Sequence, residues 1–182
     1  AARGVEAVNY TKAVELLYRR GRAAGITAID QLSGKYYNIY AKRIVNASGP
    51  WADTIRVLDH SIKEKKIRLT KGVHIVFSQE KFPLKQAVYF DTPDGRMVFA
   101  IPRGGKTYIG TTDTFYHLDP AHPRMTEKDL QYLIEAIHYM FPIVKITEDD
   151  VESSWAGVRP LIYEEGKDPS EISRKDAIWV SD

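Results

Sequence analysis

The 182-residue chain contains no cysteine. That excludes a disulfide framework, a thiolate-bound zinc and a cysteine nucleophile. Its apolar stretches run only a handful of residues, too short for a membrane-spanning helix. No basic n-region followed by an apolar h-region is visible as a secretory signal. A large charge of one sign is also lacking: 26 basic against 24 acidic residues give a formal +2. That excludes a strongly cationic nucleic-acid scaffold but leaves room for a local basic pocket. No GxGxxG fingerprint, Walker loop or GxSxG elbow occurs, and no repeat or low-complexity segment. What remains is ordinary for a globular chain: 43% hydrophobic, 27% charged, 12 Gly and 9 Pro. The length suits one domain or a little more. The chain opens AARGVEAVNY without an initiator Met and ends IWVSD, so it reads as a piece of a longer polypeptide.

Residues 4–49 read as β-rich. The polar turn Tyr18-Arg19-Arg20-Gly21-Arg22 and the hairpin signal Ser33-Gly34-Lys35 divide it into a three-stranded antiparallel meander. Arg43 to Ala47 reads as a last short strand. Ser48-Gly49-Pro50-Trp51 is a strand-to-helix corner, with a short helix over 51–59. The run His60 to Lys66 is a charged, solvated connection. Residues 67–112 form a second β-rich block, with hairpin turns at Asp94-Gly95 and Gly104-Gly105. Leu130, Leu133, Ile134, Ile137 and Phe141 recur at helical spacing, Thr126 can cap, and Pro142 stops the helix predicted over 126–141. Val151 to Val158 and Ala177 to Val180 read as strands. The fold class is α+β: an antiparallel or mixed sheet with one long amphipathic helix against a face.

Three constellations can carry chemistry. Asn46-Ala47-Ser48-Gly49-Pro50-Trp51 places small residues at a strand end, where a ligand can approach the backbone and free amides suit an anion. A tight strand–helix turn explains the same residues without a ligand. In Lys71-Gly72-Val73-His74, alternation puts Gly72 and His74 on one face, so His74 can point into a cleft and take a proton near neutrality. By itself the motif is explained more simply by a satisfied interior or surface histidine. In Trp155-Ala156-Gly157-Val158-Arg159-Pro160, Gly157 permits close approach, and the Arg159 guanidinium suits a carboxylate or phosphate. A structural ion pair is the alternative. Arg103-Gly104-Gly105-Lys106 resembles a phosphate nest that a hairpin turn also explains, and Asp113 can simply cap a turn. His117, Asp119 and His122 lie among prolines, in an irregular loop rather than a metal site. The 3 Trp and 11 Tyr are scattered, so no stacking platform for nucleic acid stands out.

Taken in order, RIVNASGPWAD, LTKGVHIV, YIGTTDT, SSWAGVRPL and EISRKDAI resemble the FAD-dependent glycerol-3-phosphate dehydrogenase family over almost the whole chain. Ser48 stands where that family usually has Thr. The resemblance implies a flavoprotein with a Rossmann-type FAD domain and a substrate domain on an antiparallel sheet. Residues 1–55 resemble the later part of the FAD domain. Residues 56–182 resemble most of the substrate domain, incomplete at its C-terminal end. By the same resemblance Ala13 lies near the flavin's adenine, and Ala47, Ser48, Gly49 and Trp51 contact FAD. Arg159 and His74 become catalytic and substrate-binding residues, with Lys71 as their neighbour; Thr111 and Thr112 receive no role. The implied reaction is oxidation of sn-glycerol 3-phosphate to dihydroxyacetone phosphate, with hydride passing to FAD and electrons to a quinone. Oxidase relatives use oxygen and tend to carry an insertion, and no long insertion is present here. The implied setting is cytoplasmic, with peripheral membrane contact through parts outside the chain, a homo-oligomeric state and no nucleic acid. Two further readings stand beside it: an amino-acid oxidase-like flavoenzyme, since arginine also serves a carboxylate, and a non-catalytic binding module, since the dinucleotide fingerprint is absent.

Overall fold

Tight turns account for most of the strand pairing. Gly104 and Gly105 both adopt positive φ, +59° and +75°. That is the left-handed geometry whose twist matches antiparallel strands. The computed structural model describes residues 4–62, 66–169, 171–175 and 177–180. Residues 1–3, 63–65, 170, 176 and 181–182, which include the middle of the charged connection and the two chain ends, lie outside the described residues. The chain divides into two compact units, Ala1–Glu64 with Asp176–Asp182, and Lys65–Lys175.

In the first unit β1 (Thr11–Arg19), β2 (Arg22–Asp30) and β3 (Tyr36–Tyr40) form the expected antiparallel meander in the order β1-β2-β3. Its centre is Ala28, fully buried. The strand read at Arg43 to Ala47 does not form, and Val45 stands exposed. No strand pairs with it among the described residues, and an apolar run without a ladder stays irregular. The same holds for Ala177 to Val180, where Ile178 and Val180 are exposed. The corner is a 3-10 turn, Gly49–Trp51, leading into α1 (Ala52–Leu58). Tyr18 donates to Asp59, tying the residue after α1 to β1, and Arg56 lies over the Trp179 ring at 4.5 Å. These ties hold α1 to the rest of the first unit.

The second unit is built around β4 (Ile67–Ser78). β5 (Val88–Asp91), β6 (Met97–Arg103), β7 (Lys106–Gly110) and β8 (Thr114–Tyr116) make the order β5-β6-β7-β4-β8, and β9 (Ser153–Ile162) pairs along β4. Each of these pairings is antiparallel. β9 starts two residues later than Val151 and runs on to Ile162. α2 (Glu127–Met140) begins at a capping box in which Thr126 and Asp129 exchange side-chain and backbone hydrogen bonds. Its apolar stripe, Leu133, Ile134 and Ile137, packs on Val73, Ile75 and Phe77 of β4 in one core cluster. The α+β architecture is therefore a sheet with one helix-covered face.

Candidate functional site

Strand alternation on β4 divides its chemistry. Lys71, Val73, Ile75 and Phe77 point to the α2 side; Gly72 and His74 point to the other. Directly across the ladder, Trp155 of β9 and Gly110 of β7 flank His74, Gly157 faces Gly72, and Arg159 faces Thr70. Residues opposite one another share a face. The result is a cleft of about 150 Å3 lined by Gly72, His74, Trp155, Gly157, Val158 and Arg159.

The His74 ring has a made-to-measure seat. It stacks on Trp155 with centroids 4.8 Å apart and planes 8° apart, and it touches Phe99 at 5.4 Å. Beneath it lies Gly110, where a Cβ would stand 2.5 Å from His74 Nε2. Only glycine leaves that space. Nδ1 is buried without a hydrogen-bond partner among the described residues. Burial, then the Arg159 charge, hold the imidazole below its ordinary pKa, so it is neutral at pH 7.

Arg159 is seated in the same way on Gly72, where a Cβ would come within 3.3 Å of Nη1 and would collide with Thr111 Oγ1. Nη1 is buried and has no hydrogen-bond partner among the described residues. Asp113 Oδ1 lies 3.9 Å from it, and Asp113 Oδ2 accepts from Arg174 Nη2 at 2.6 Å. Two guanidiniums against one carboxylate leave the neighbourhood cationic. Gly157 differs from the other two glycines: nothing lies within 4 Å of a Cβ there, and its φ is not left-handed. Neither the packing of the described residues nor the backbone requires glycine at that position, and its lack of a side chain leaves that face of β9 uncovered.

The structure thus brings His74 and Arg159 together. It does not bring Lys71 to them. Lys71 is buried on the α2 side, where its ammonium pairs with Asp129 and donates to the Arg124 carbonyl at 3.1 Å. Burial pushes the Asp129 carboxyl up, but hydrogen bonds from Lys71 and Thr126 outweigh that and hold it below its ordinary value. Thr112 Oγ1 accepts from Val73 N at 3.0 Å, and Thr111 Oγ1 donates to the Thr112 carbonyl at 2.9 Å, so both hydroxyls hold backbone. Arg103 to Lys106 form the β6–β7 turn, and His122 pairs with Asp119 at an exposed loop.

In the first unit Ala47, Ser48, Gly49 and Trp51 share one corner. Asn46 organises it: Nδ2 donates to the Ala52 carbonyl at 2.9 Å, and Oδ1 accepts from Ser48 Oγ at 2.7 Å. Gly49 has φ +56°, and nothing lies within 4 Å of a Cβ there. Ala13 pairs with Ala28 beside a β-bulge in β1. Sequence reasoning missed Trp155 and Phe99 as walls for His74, Gly72 and Gly110 as seats, and the Asp113–Arg174 pair. The only sequence signal for the seats is that both glycines interrupt strands, where glycine is otherwise unfavourable.

The chain has close relatives among known proteins. Residues 1–179 match the model of the FAD dependent oxidoreductase family. Over 179 residues the chain is 64% identical to the aerobic glycerol-3-phosphate dehydrogenase of Bacillus subtilis (strain 168), covering 98% of this chain and 32% of that protein. Over 181 residues it is 59% identical to the aerobic glycerol-3-phosphate dehydrogenase of Staphylococcus aureus (strain MRSA252), with the same coverage of 98% and 32%. Among solved structures, the glycerol-3-phosphate dehydrogenase from Bacillus halodurans complexed with FAD matches with a TM-score of 0.84 and 57% identity, over 90% of this chain and 33% of that one. The chain spans about a third of the length of these relatives. With the family match running over nearly its whole length, the chain belongs to the FAD dependent oxidoreductases.

Proposed function

We propose that the chain is part of a flavoenzyme that oxidises sn-glycerol 3-phosphate at its secondary alcohol to dihydroxyacetone phosphate. The observation that carries this reading is the pair of orphaned buried nitrogens, Arg159 Nη1 and His74 Nδ1, in one cationic cleft. A dianionic substrate with an ionisable carbinol answers such a cleft, and the dehydrogenases at 57–64% identity support the choice. In this reading residues 1–55 belong to the FAD-binding domain and residues 56–182 to the substrate domain.

FAD, when bound, supplies the hydride acceptor. The residues present fit it. In the first unit the Ala47–Trp51 corner offers small residues and a glycine beside which the described residues leave free space. Ala13, Ala47, Ser48, Gly49 and Trp51 are the residues proposed to hold it. Arg159 donates from Nη1 to the substrate, to its phosphate or to the oxygen that gains charge as the hydride leaves. His74, kept neutral by burial, takes the hydroxyl proton. Trp155 and Phe99 keep its ring from turning, so the base is positioned before substrate arrives. A membrane quinone is the proposed electron acceptor, reached by peripheral contact of a homo-oligomeric enzyme at the cytoplasmic face. Among the described residues no helix is long and apolar enough to cross a membrane.

The test is Arg159→Ala in the full-length enzyme. The expected loss in kcat/KM for glycerol 3-phosphate is on the order of 100-fold. Unchanged kinetics, or turnover of amino acids in place of glycerol 3-phosphate, would overturn the reading.

A further inference from the structure

Asp113 stands just before β8, with only 7% of its side chain exposed. A carboxylate buried this deeply is costly unless charges and hydrogen bonds answer it. Here its two oxygens are answered differently. Oδ2 accepts a hydrogen bond from Arg174 Nη2 at 2.6 Å, across 61 positions of sequence. Among the described residues Oδ1 has no hydrogen-bond partner; it faces Arg159 Nη1 at 3.9 Å, which has none there either. That gap is too long for a hydrogen bond, but the buried carboxylate still attracts the guanidinium, whose side chain is 38% exposed. Gly72 bears the other side of the guanidinium. Arg159 is therefore held by charge and by a backbone seat, without spending its Nη1 donor.

We propose that Asp113, anchored by Arg174, is a positioning residue for Arg159: it holds the guanidinium by attraction at a distance that leaves Nη1 free to donate to substrate. A carboxylate in hydrogen-bond contact would satisfy Nη1 and compete with the substrate. A pocket without the carboxylate would let the long side chain leave the cleft. Arg174 comes from the irregular stretch after β9, and its bond to Oδ2 orients the carboxylate with Oδ1 towards Arg159.

The inference rests on the glycerol 3-phosphate reading for the substrate alone, and the experiment separates the two. Asp113→Asn, Arg159→Ala and the double variant are compared as full-length, flavin-loaded enzymes. Asparagine keeps the shape and the acceptor for Arg174 but removes the charge. Alone it should lower kcat/KM for glycerol 3-phosphate about 20-fold, and on the Arg159→Ala background less than about 3-fold, because coupled residues are non-additive. Asp113→Glu, which keeps the charge at the expense of shape, should retain more activity than Asp113→Asn. An equal loss in both backgrounds, or asparagine outperforming glutamate, overturns the proposal. Should Asp113→Asn fail to hold flavin, Asp113→Glu carries the test: at least about a tenth of wild-type turnover supports the proposal, and a folded, flavin-loaded but inactive enzyme overturns it. Wild-type enzyme that does not turn over glycerol 3-phosphate overturns only the functional reading. The cycle is then read on inorganic phosphate binding, followed through the flavin absorbance. Absence of phosphate binding to wild type, or equal weakening in both backgrounds, overturns the role of Asp113.

Discussion

Replacing Gly110 by alanine should eject His74 from its seat. The new Cβ would stand 2.5 Å from His74 Nε2 and 2.7 Å from Cγ, and closer still to Cδ2. Carbon contacts are comfortable only near ~3.5–4.0 Å. The ring must therefore retreat by roughly 1 Å, yet Trp155 is stacked on it at 4.8 Å and Phe99 meets it at 5.4 Å. It cannot slide along its own plane without losing the stack. Forcing a methyl into such packing costs about 1–3 kcal/mol. Losing the aromatic contact adds about 0.5–1.5 kcal/mol. Urea unfolding of the 182-residue chain should then show a loss of about 2–4 kcal/mol. In the full-length enzyme kcat/KM for glycerol 3-phosphate should fall to the level of His74→Ala. The decisive control is the double variant. With His74 already alanine the obstacle is gone, so Gly110→Ala should cost little there. A cost below about 0.5 kcal/mol in the wild-type background, or an undiminished cost beside His74→Ala, would refute the seat.

Gly157→Ala should behave in the opposite way. None of the described residues meets the added methyl, and removing a glycine's unfolded freedom stabilises by about 0.4–1 kcal/mol; turnover by the full-length enzyme should nevertheless drop, and unchanged turnover would show that no ligand approaches β9 there. Because His74 binds a proton less readily folded than unfolded, the unfolded chain takes up more protons as pH falls below the ordinary value of 6.5. Stability should be fully present above that pH and decline as pH drops through the folded value, a slope that His74→Gln abolishes in thermal melts at a pH series; stabilisation on acidification would contradict it. Lys71→Met leaves the Asp129 carboxylate buried without its cation and should cost about 3–5 kcal/mol. KM for glycerol 3-phosphate should stay at the wild-type value, and a raised KM with unchanged stability would return Lys71 to the substrate.

Local chemistry was legible in the sequence. The Asp94-Gly95 and Gly104-Gly105 turns, the Ser33-Gly34-Lys35 hairpin and the Thr126 cap of α2 all formed, because each depends on backbone preferences within a few residues. So did the alternation that puts Gly72 and His74 on one face, a consequence of strand geometry alone. Arg43 to Ala47 and Ala177 to Val180 have strand-like composition and yet remain irregular, because a strand exists only with a partner for its backbone groups. The site shows the same divide. Sequence singled out His74 and Arg159 by residue type, and it placed Lys71 beside them by proximity in the chain. Only the ladder register decides that His74 sits over Gly110 and against Trp155, that Arg159 rests on Gly72, and that Lys71 turns away to Asp129, 58 positions on. Asp113 and Arg174 meet across 61 positions for the same reason. Charge and shape act through space. A sequence shows which groups are available, while the distance that makes a donor free or occupied is set by tertiary packing.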